Sequence, residues 1–380
     1  MVGIPRTVLT EEHEMFRDQV RRFVETEIVP HHDEWERQGI VSRDVWRKAG
    51  EQGLLCPLIP MEYGGAGADF GFSAVIIEEL ARVNATAVGF TLHSDVMAPY
   101  ILRYGKAELK ANYLPRLASG ELIGALALTE PGIGSDLKAV RATARRDGDH
   151  YVINGSKTFI TNGQNSGLVI VAVKTDPEAG RKGISLIAVE DGTPGFKKGR
   201  NLEKIGLHGQ DTAELFFDDV RVPVGNLLGE ENKGFYYLLT ELAQERLVVG
   251  IRAAASIEAM LERTIAYTRD RKAFEQSVFD FQNTRFKLAD AKAQSVMLRA
   301  FVDTCLALHL KGELTPELAA MVKLKGAEVQ GVVLDELLQL HGGYGYMSEY
   351  VIGRAWVDAR VMRIYAGSSE IMREIIARTL

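Results

Sequence analysis

The spacing of apolar residues changes twice along the chain, and this limits the folds that are open to it. Up to about Ser119, segments such as MFRDQVRRFVETEI and SAVIIEELARV place apolar residues three and four apart, as amphipathic helices do. From about Glu121 to Gly229 the spacing becomes two, which is the period of a half-buried strand. From Asn232 onward it is helical again. The sequence therefore predicts a mainly α-helical protein with a small β-domain in its middle.

This order predicts three domains: an N-terminal α-helical domain over residues 1–122, a middle β-domain over 123–230 and a C-terminal α-helical domain over 231–380. In the β-domain, HYVINGSKTFITNG is predicted as two strands joined by an Asn-Gly turn, because Asn-Gly is a strong hairpin signal. Strands do not alternate with helices, and neither G-x-G-x-x-G nor G-x-x-x-x-G-K-[ST] occurs. We therefore do not expect a doubly wound nucleotide-binding fold.

Composition and charge narrow the classes of function. The 380 residues are 46% hydrophobic and 25% charged, and the net charge of −6 favours neither nucleic acid nor an anionic membrane. No apolar stretch approaches the roughly 20 residues of a membrane span. Cys56 and Cys305 are far apart and the histidines form no metal motif, so we expect neither disulfides nor a metal site. The chain lacks a recognisable targeting signal, and we expect a cytoplasmic protein.

Two segments of the β region are candidates for a ligand site. In ALALTEPGIGSD (residues 125–136), an apolar strand runs into Thr129, a Pro-Gly-x-Gly turn and Ser135, whose N–H and hydroxyl groups suit an anion or a heteroaromatic edge. In KTFITNG (residues 157–163), Phe159 and Thr161 share one face of a strand and suit a planar cofactor. Taken alone, each segment is explained more simply as an ordinary turn or a plain strand.

A carboxylate interrupts the apolar stripe of the long helix predicted after Asn232. Apolar side chains recur with helical spacing at Leu238, Leu242, Val249, Ala253, Ile257 and Met260. Glu245 stands three residues after Leu242 and four before Val249. The adjacent Arg246 does not share its face, and burial without a paired cation raises the pKa of a carboxylate and makes it a better base. Either Glu245 is such a base, or it lies at the edge of the stripe in a salt bridge with an arginine from elsewhere.

Three segments of the C-terminal region have features of a binding site. RDRKAF (residues 269–274) carries basic residues that either complement a helix dipole or clamp a pyrophosphate. QLHGGYGYMSEY (residues 339–350) ends a helix at two glycines, either as a simple cap or for close backbone approach to a ligand. In RIYAGSSEIMREII (residues 363–376), a helix begins after a Gly-Ser-Ser turn, and Ala366 stands at the corner.

The order of these segments is more specific than any one of them. The chain resembles the acyl-CoA dehydrogenases in a series that covers nearly its whole length: GLLCPLIPMEYGGAGAD, ALTEPGIGSD, KTFITNG, GLHGQDTAELFFDDVRVP, QERLVVG, RKAF, LQLHGGYGYM and IYAGSSEIMREIIAR. This resemblance implies a helical, a β and a four-helix-bundle domain, one FAD per subunit and assembly as a homo-oligomer, a tetramer. It also implies α,β-desaturation of an acyl-CoA thioester, with electrons passed to an electron-transferring flavoprotein.

Many members of this family carry the catalytic glutamate at the position of Ala366. TELAQERLVVG combined with a non-acidic residue in IYAGSSE is similar to the long-chain and isovaleryl branches, whose base lies on the long helix. The resemblance therefore implies that Glu245 abstracts the α-proton while flavin N5 accepts the β-hydride. It also implies that the backbone N–H of Ala366 donates to the thioester oxygen, which requires no side chain.

The resemblance assigns binding roles to further residues. FAD binding is implied for Leu126, Leu128, Thr129, Gly134, Ser135, Phe159, Ile160, Thr161, Arg271, Phe274, Gln282, Gln339, Leu340, His341, Gly342, Gly343, Ser368, Ser369 and Glu370. Arg271, Gln282 and residues 339–343 would bind the ADP half across a subunit interface. Substrate contacts are implied for Ser135, Tyr236, Arg246 and Gly367. Phe159 stands where many relatives have tryptophan, and Ser368-Ser369 departs from commoner Gly-Thr patterns but keeps a hydroxyl.

Three rival functions stay open on the same scaffold. An acyl-CoA oxidase and a dehydrogenase for acyl chains on a carrier protein are poorly separated by sequence. A DNA-binding alkylation-response flavoprotein would want a basic surface, which the net charge of −6 does not favour. Acyl chain length and branching depend on side-chain packing in the pocket and are not predicted.

Overall fold

A computed structural model describes residues 3–380 and confirms the order of helices, strands and helices. The first helices are α1 (Glu11–Phe23), α2 (Val29–Gln38), α3 (Arg43–Glu51), α4 (Phe70–Arg82), α5 (Ala98–Tyr104) and α6 (Ala107–Ala118). The strands are β1 (Gly124–Ala127), β2 (Thr143–Asp147), β3 (His150–Thr161), β4 (Leu168–Lys174), β5 (Ile184–Glu190), β6 (Phe196–Asn201) and β7 (Thr212–Pro223). After α7 (Gly234–Asp270) come the short strands β8 (Lys272–Ala273) and β9 (Gln276–Ser277), then α8 (Gln282–Leu310), α9 (Pro316–His341), α10 (Val351–Ala359) and α11 (Ser369–Ala377). Within residues 3–380, no helix combines the length and the apolar character needed to cross a membrane.

The seven long strands form one mixed sheet in the order β1-β4-β2-β3-β7-β6, with β5 paired to β4. Along β4, side chains alternate between two cores because successive residues of a strand point to opposite faces. Leu168, Ile170 and Ala172 pack with side chains of α5 and α6, whereas Val169 and Val171 pack inside the β-domain. The strand is therefore apolar on both faces and joins the sheet to the N-terminal helices.

The predicted Asn-Gly hairpin is wrong, because residues 150–161 form the single strand β3. Its pairing with β7 shifts register between Ile153 and Gly155, and Gly155 has a φ of +141°. A Cβ at Gly155 would lie 2.7 Å from the Cβ of Ala142. The glycine therefore allows a bulge and a close backbone approach in the middle of a strand, which a local sequence signal does not distinguish from a turn.

Helix α7 is the central element of the C-terminal region and packs against α4, α8 and α9. Two glycines let α7 and α9 approach closely. A Cβ at Gly326 of α9 would lie 3.2 Å from the Cα of Gly250, and a Cβ at Gly250 would lie 2.8 Å from Cγ2 of Val322. Side chains that flank these glycines on the two helices are consequently brought into close proximity.

The helical and β regions meet at the carboxylate of Asp358 in α10. It accepts hydrogen bonds from Leu207 N at 2.6 Å, Thr86 Oγ1 at 2.7 Å and Asn84 Nδ2 at 3.2 Å. Leu207 belongs to the β region, and Thr86 and Asn84 follow α4. Because Asp358 is buried, it links the three parts of the chain where water does not compete for the donors.

We expect Asp358→Ala to destabilise the protein by about 3 kcal/mol, since it leaves buried donors of two other regions without an acceptor. The midpoint of thermal unfolding should fall by several degrees. Asp290→Ala, which removes an exposed carboxylate from α8, is the control and should leave the midpoint unchanged. Equal midpoints for the two variants would contradict the linking role of Asp358.

Candidate active site

Glu245 lies on α7 where the helix is covered by its neighbours, and only 9% of the residue is exposed. Tyr100 of α5 donates a hydrogen bond to Glu245 Oε1 at 3.0 Å. Burial raises the pKa of Glu245 to about 7, and the charge of Glu241 adds to this, while the Tyr100 hydroxyl and Arg246 act in the opposite direction. A carboxyl group with a pKa near neutrality is suited to accept a proton at physiological pH.

Glu241 lies one helical turn before Glu245 and has closer partners. It accepts a hydrogen bond from Tyr104 Oη at 2.7 Å and pairs with Arg103 Nη1 at 2.5 Å. Tyr104 also stacks on Tyr237, with ring centroids 4.1 Å apart. Of the two carboxylates on this face of α7, Glu241 is therefore neutralised by a cation, whereas Glu245 is held by a neutral hydroxyl.

The loop before α11 packs on α7 one turn beyond Glu245. Ala366 contacts the cluster that contains Val249 and Ala253 of α7. Ala366 and Gly367 both have left-handed backbone conformations, with φ of +52° and +87°. This conformation costs alanine roughly 1–2 kcal/mol, so the surrounding contacts must hold the loop in place.

One such contact comes from Lys323 of α9, whose Nζ donates to the Gly367 carbonyl oxygen at 2.5 Å. Lys323 is fully buried. Arg246, the residue after Glu245, is also buried, and its Nε has no hydrogen-bond partner among residues 3–380.

The β-domain segments come together beside β1 and β3. Thr158 N donates to Thr129 O at 2.9 Å, and the buried Lys157 ammonium donates to Leu128 O at 3.1 Å. Phe159 has a φ of +60° at a second register shift of β3, and its side chain is 67% exposed. Ile160 packs into the sheet core, so only its backbone is free to meet a ligand. The Pro-Gly turn leaves Gly134 and Ser135 exposed.

The basic segment after α7 and the end of α9 form a groove of about 600 Å³. Among the predicted residues, Arg271 and residues 339–343 line it together with Tyr267 and Tyr344. The Arg271 guanidinium lies 5.4 Å from the centre of the Tyr344 ring. Phe274 and Gln282 are exposed outside this lining, so the structure does not bring all the predicted residues of this segment together.

At the start of α11, Ser368 is the N-cap and its side chain accepts a hydrogen bond from Ile371 N at 3.4 Å. Ser369 is buried, and its hydroxyl has no partner among the described residues. Glu370 and Tyr236 are exposed. Apart from Phe274, Gln282 and Tyr236, the predicted residues thus fall into three groups: the β-domain segments, the face of α7 with the loop before α11, and the groove at the end of α9.

Models of three domains match this chain in sequence. They are the acyl-CoA dehydrogenase N-terminal domain over residues 10–121, the middle domain over 125–220 and the C-terminal domain over 232–380. The chain belongs to the acyl-CoA dehydrogenase family. The predicted family and enzyme class are thereby confirmed, and the protein is an oxidoreductase.

Individual relatives match over the whole length. The chain is 51% identical to the mitochondrial long-chain specific acyl-CoA dehydrogenase of Sus scrofa, covering 100% of this chain and 88% of that protein. The crystal structure of an acyl-CoA dehydrogenase from Geobacillus kaustophilus matches with a TM-score of 0.97 and 50% identity over 99% of each chain. A glutaryl-CoA dehydrogenase from Mycobacterium smegmatis, described in complex with FADH2, matches with a TM-score of 0.90 and 29% identity over 98% of this chain and 95% of that one.

Acyl-CoA dehydrogenases are FAD-dependent, so FAD is the cofactor of this chain, and its residues fit such a ligand. Phe159 is exposed, and the backbone N–H of the preceding Thr158 donates to Thr129 O. Ser369 Oγ and His341 Nδ1 are buried polar atoms without a partner among residues 3–380. A Cβ at Gly342 or Gly343 would meet open space. These features leave room and unpaired polar groups for a large planar cofactor with a charged tail.

Two residues of this site, Tyr100 and Lys323, were not predicted from the sequence. Tyr100 is 145 residues from Glu245, and no local pattern connects them. For Lys323 a signal exists: Ala319, Ala320 and Ala327 lie at helical spacing around it. Lys323, like Glu245, is therefore a charged residue on an apolar stripe.

The raised pKa of Glu245 predicts a pH-dependent cost to stability. Its pKa is about 7 in the folded protein and 4.5 in an unfolded chain, so ionisation becomes unfavourable to folding as pH rises from 4.5 through 7. Glu245→Gln is expected to stabilise the protein by up to about 3 kcal/mol above pH 7, and little at pH 4.5. Thermal unfolding of Glu245→Gln and of the wild type at pH 5 and pH 8 measures this difference in stability.

Glu262→Gln is the matched control, because Glu262 lies on the same helix but is exposed. Its stability difference from the wild type should not change with pH. If the difference for Glu245→Gln were equally constant between pH 5 and pH 8, Glu245 would not be the desolvated carboxyl that the structure describes.

Proposed function

We propose that this acyl-CoA dehydrogenase desaturates a fatty acyl-CoA between its α- and β-carbons and that Glu245 is the base. The observation that carries the proposal is the environment of the Glu245 carboxylate. It is buried, it is held by a tyrosine hydroxyl and not by a cation, and the Ala366 loop packs one turn away on the same helix. A weakly acidic carbon next to a thioester requires a base of this kind.

The chain's own groups divide the work of proton removal. Glu245 accepts the α-proton, and Tyr100 orients its carboxylate. As the proton leaves, negative charge develops on the thioester oxygen, and the Ala366 backbone N–H is proposed to donate to it. The role needs only a backbone group, so alanine suffices. The Leu126–Thr129 segment, Phe159 and the start of α11 would hold FAD, which supplies the hydride acceptor.

The substrate and the partners belong to the same proposal. The identity of 51% with a long-chain specific relative supports a long acyl chain. An electron-transferring flavoprotein as electron acceptor follows from the sequence resemblance. Assembly as a tetramer, with the groove at the end of α9 completed by a partner subunit, and a cytoplasmic location stay predictions from the sequence.

We expect Glu245→Gln to retain FAD and to bind acyl-CoA but not to reduce its flavin, because the amide cannot accept the α-proton. The rate of anaerobic flavin bleaching by a long-chain acyl-CoA should fall by at least about 10²–10⁴-fold. Glu262→Gln should bleach at the wild-type rate. Near-normal bleaching of Glu245→Gln would show that another group removes the proton.

Removal of the Tyr100 hydroxyl should move the pH dependence of catalysis. Tyr100 stabilises the ionised carboxylate, so Tyr100→Phe raises the pKa of Glu245 above about 7. The acidic limb of the kcat/KM profile, which reports the free enzyme, is expected to shift by about one pH unit to higher pH. Tyr113→Phe makes the same chemical change on α6, and its profile should match the wild type. An unshifted limb in Tyr100→Phe would mean that this hydrogen bond does not tune the base.

The wild-type enzyme, once its flavin has been reduced by substrate, distinguishes a dehydrogenase from an oxidase. A dehydrogenase should be reoxidised slowly by oxygen and quickly by an electron-transferring flavoprotein, whereas rapid reaction with oxygen would favour an oxidase. A panel of straight, branched and cyclic acyl-CoAs, together with an acyl carrier protein thioester, tests the substrate class.

A further inference from the structure

Lys323 is a buried cation that the proposed chemistry does not use. It lies in the middle of α9, with Ala319, Ala320 and Val322 as buried neighbours in the sequence. Burial lowers the pKa of its ammonium to about 8. Burying an ammonium group is costly unless it is paired and hydrogen-bonded. An apolar side chain of similar length would fill this space at less cost, so the position points to a role for the donor itself.

The acceptor of Lys323 is a carbonyl in the strained loop. Nζ donates to Gly367 O at 2.5 Å. Gly367 is the second of the two left-handed residues and directly follows Ala366. Ala366 packs against the cluster that contains Val249 and Met362. The loop is therefore held on one side by packing and on the other by the ammonium. Without the second contact, the peptide group after Gly367 would lose the bond that sets its orientation.

The close approach of α7 and α9 explains why the lysine reaches this loop. Arg246 and Lys323 each lie one turn before the glycine that allows the approach, Gly250 on α7 and Gly326 on α9. Arg246 and Glu370 are the charged groups that act on Lys323: the first lowers its pKa further and the second raises it. Lys323 thus lies at the junction of the helix that carries the base, the loop of the oxyanion donor and the start of α11.

We propose that Lys323 is a positioning residue, which holds the Gly367 carbonyl so that the Ala366 N–H stays aimed at the thioester oxygen. The inference rests on the proposed desaturation, because the loop has this task only if a thioester binds there. Lys323 need not touch the substrate. Its contribution is the orientation of a backbone donor, and orientation errors of this kind affect the transition state more than ground-state binding.

Lys323→Met tests the inference, because methionine keeps the length and loses the donor. We expect this variant to fold, to keep FAD and to have a KM close to the wild type. Its rate of anaerobic flavin reduction should fall about 10–100-fold, somewhat less than the loss of an oxyanion donor itself. Lys323→Arg, which keeps a charged donor, should recover part of the rate. Lys325→Met is the matched control two residues away on the exposed side of α9 and should behave as the wild type.

A 3-thia-acyl-CoA gives a readout that a merely structural role would not change. Its β-position is sulfur and cannot give up a hydride, but its α-carbon still ionises, and the ionised ligand absorbs at long wavelength beside FAD. In Lys323→Met the pH at which this band appears should rise by about one to two units. In Lys325→Met it should stay unchanged.

Each outcome decides between the proposals. If the wild type is reduced by acyl-CoA and Lys323→Met is reduced equally fast with an unchanged absorbance titration, the positioning role is wrong and the proposed function stands. If Lys323→Met and Lys323→Arg both fail to fold or to retain FAD, Lys323 is a structural residue and the inference is overturned. If no acyl-CoA reduces the wild type, the proposed function fails and the inference falls with it.

Discussion

The desolvation of Glu245 is the condition on which the candidate chemistry depends. A glutamate on an isolated helix would titrate near 4.5, and its pKa is about 7 here because α7 is enclosed by other elements. The partner that remains, Tyr100, is a neutral donor. A cation in its place would lower the pKa of Glu245 and make it a weaker proton acceptor. Glu241, one turn away, is instead paired with Arg103. The partner of each carboxylate thus distinguishes the two: a cation holds Glu241 in an ion pair, whereas a neutral hydroxyl leaves Glu245 able to accept a proton.

The second condition is the shape of the loop that carries Ala366. Two consecutive left-handed residues give the backbone an orientation that no helix or strand supplies. Such a conformation persists only where its surroundings over-determine it. Packing against α7 and the Lys323 ammonium provide two such constraints from different helices. Glu245 and the proposed oxyanion donor are consequently placed by the same pair of helices. The distance between the Glu245 carboxylate and the Ala366 N–H is therefore set by rigid elements.

The parts of the site come from different regions of the chain, so their relative placement depends on contacts between regions. The Asp358 carboxylate binds donors from both other regions, and β4 packs one of its faces against α5 and α6. Helix α5 also carries Tyr100. The sheet that presents Phe159 and the helix that orients Glu245 are therefore coupled through a shared apolar core, which resists small displacements because it is close-packed.

Much of the architecture follows from local pattern. The change from helical to two-residue spacing predicted the order of helices and strands, and the position of Glu245 on an apolar stripe predicted a buried carboxylate. The Asn-Gly signal failed because a bulge and a turn both favour glycine at positive φ, and only the pairing of β3 with β7 shows that Gly155 lies at a bulge. Phe159 is exposed, but strict alternation does not place it, because Lys157 and Thr158 before it are both buried. The register shift against β7 and the left-handed φ of Phe159 set its direction.

The sequence by itself determined which residues have the chemical groups for the reaction, because periodicity and motif order are local properties of the chain. Tertiary structure alone decided what those groups do. Tyr100 and Glu245 are 145 residues apart, and Lys323 and Gly367 are 44 apart. Their hydrogen bonds exist only because α5, α7, α9 and the last loop pack around one core. The pKa of Glu245 and the orientation of the Gly367 carbonyl depend on this packing, which no single segment of the chain contains.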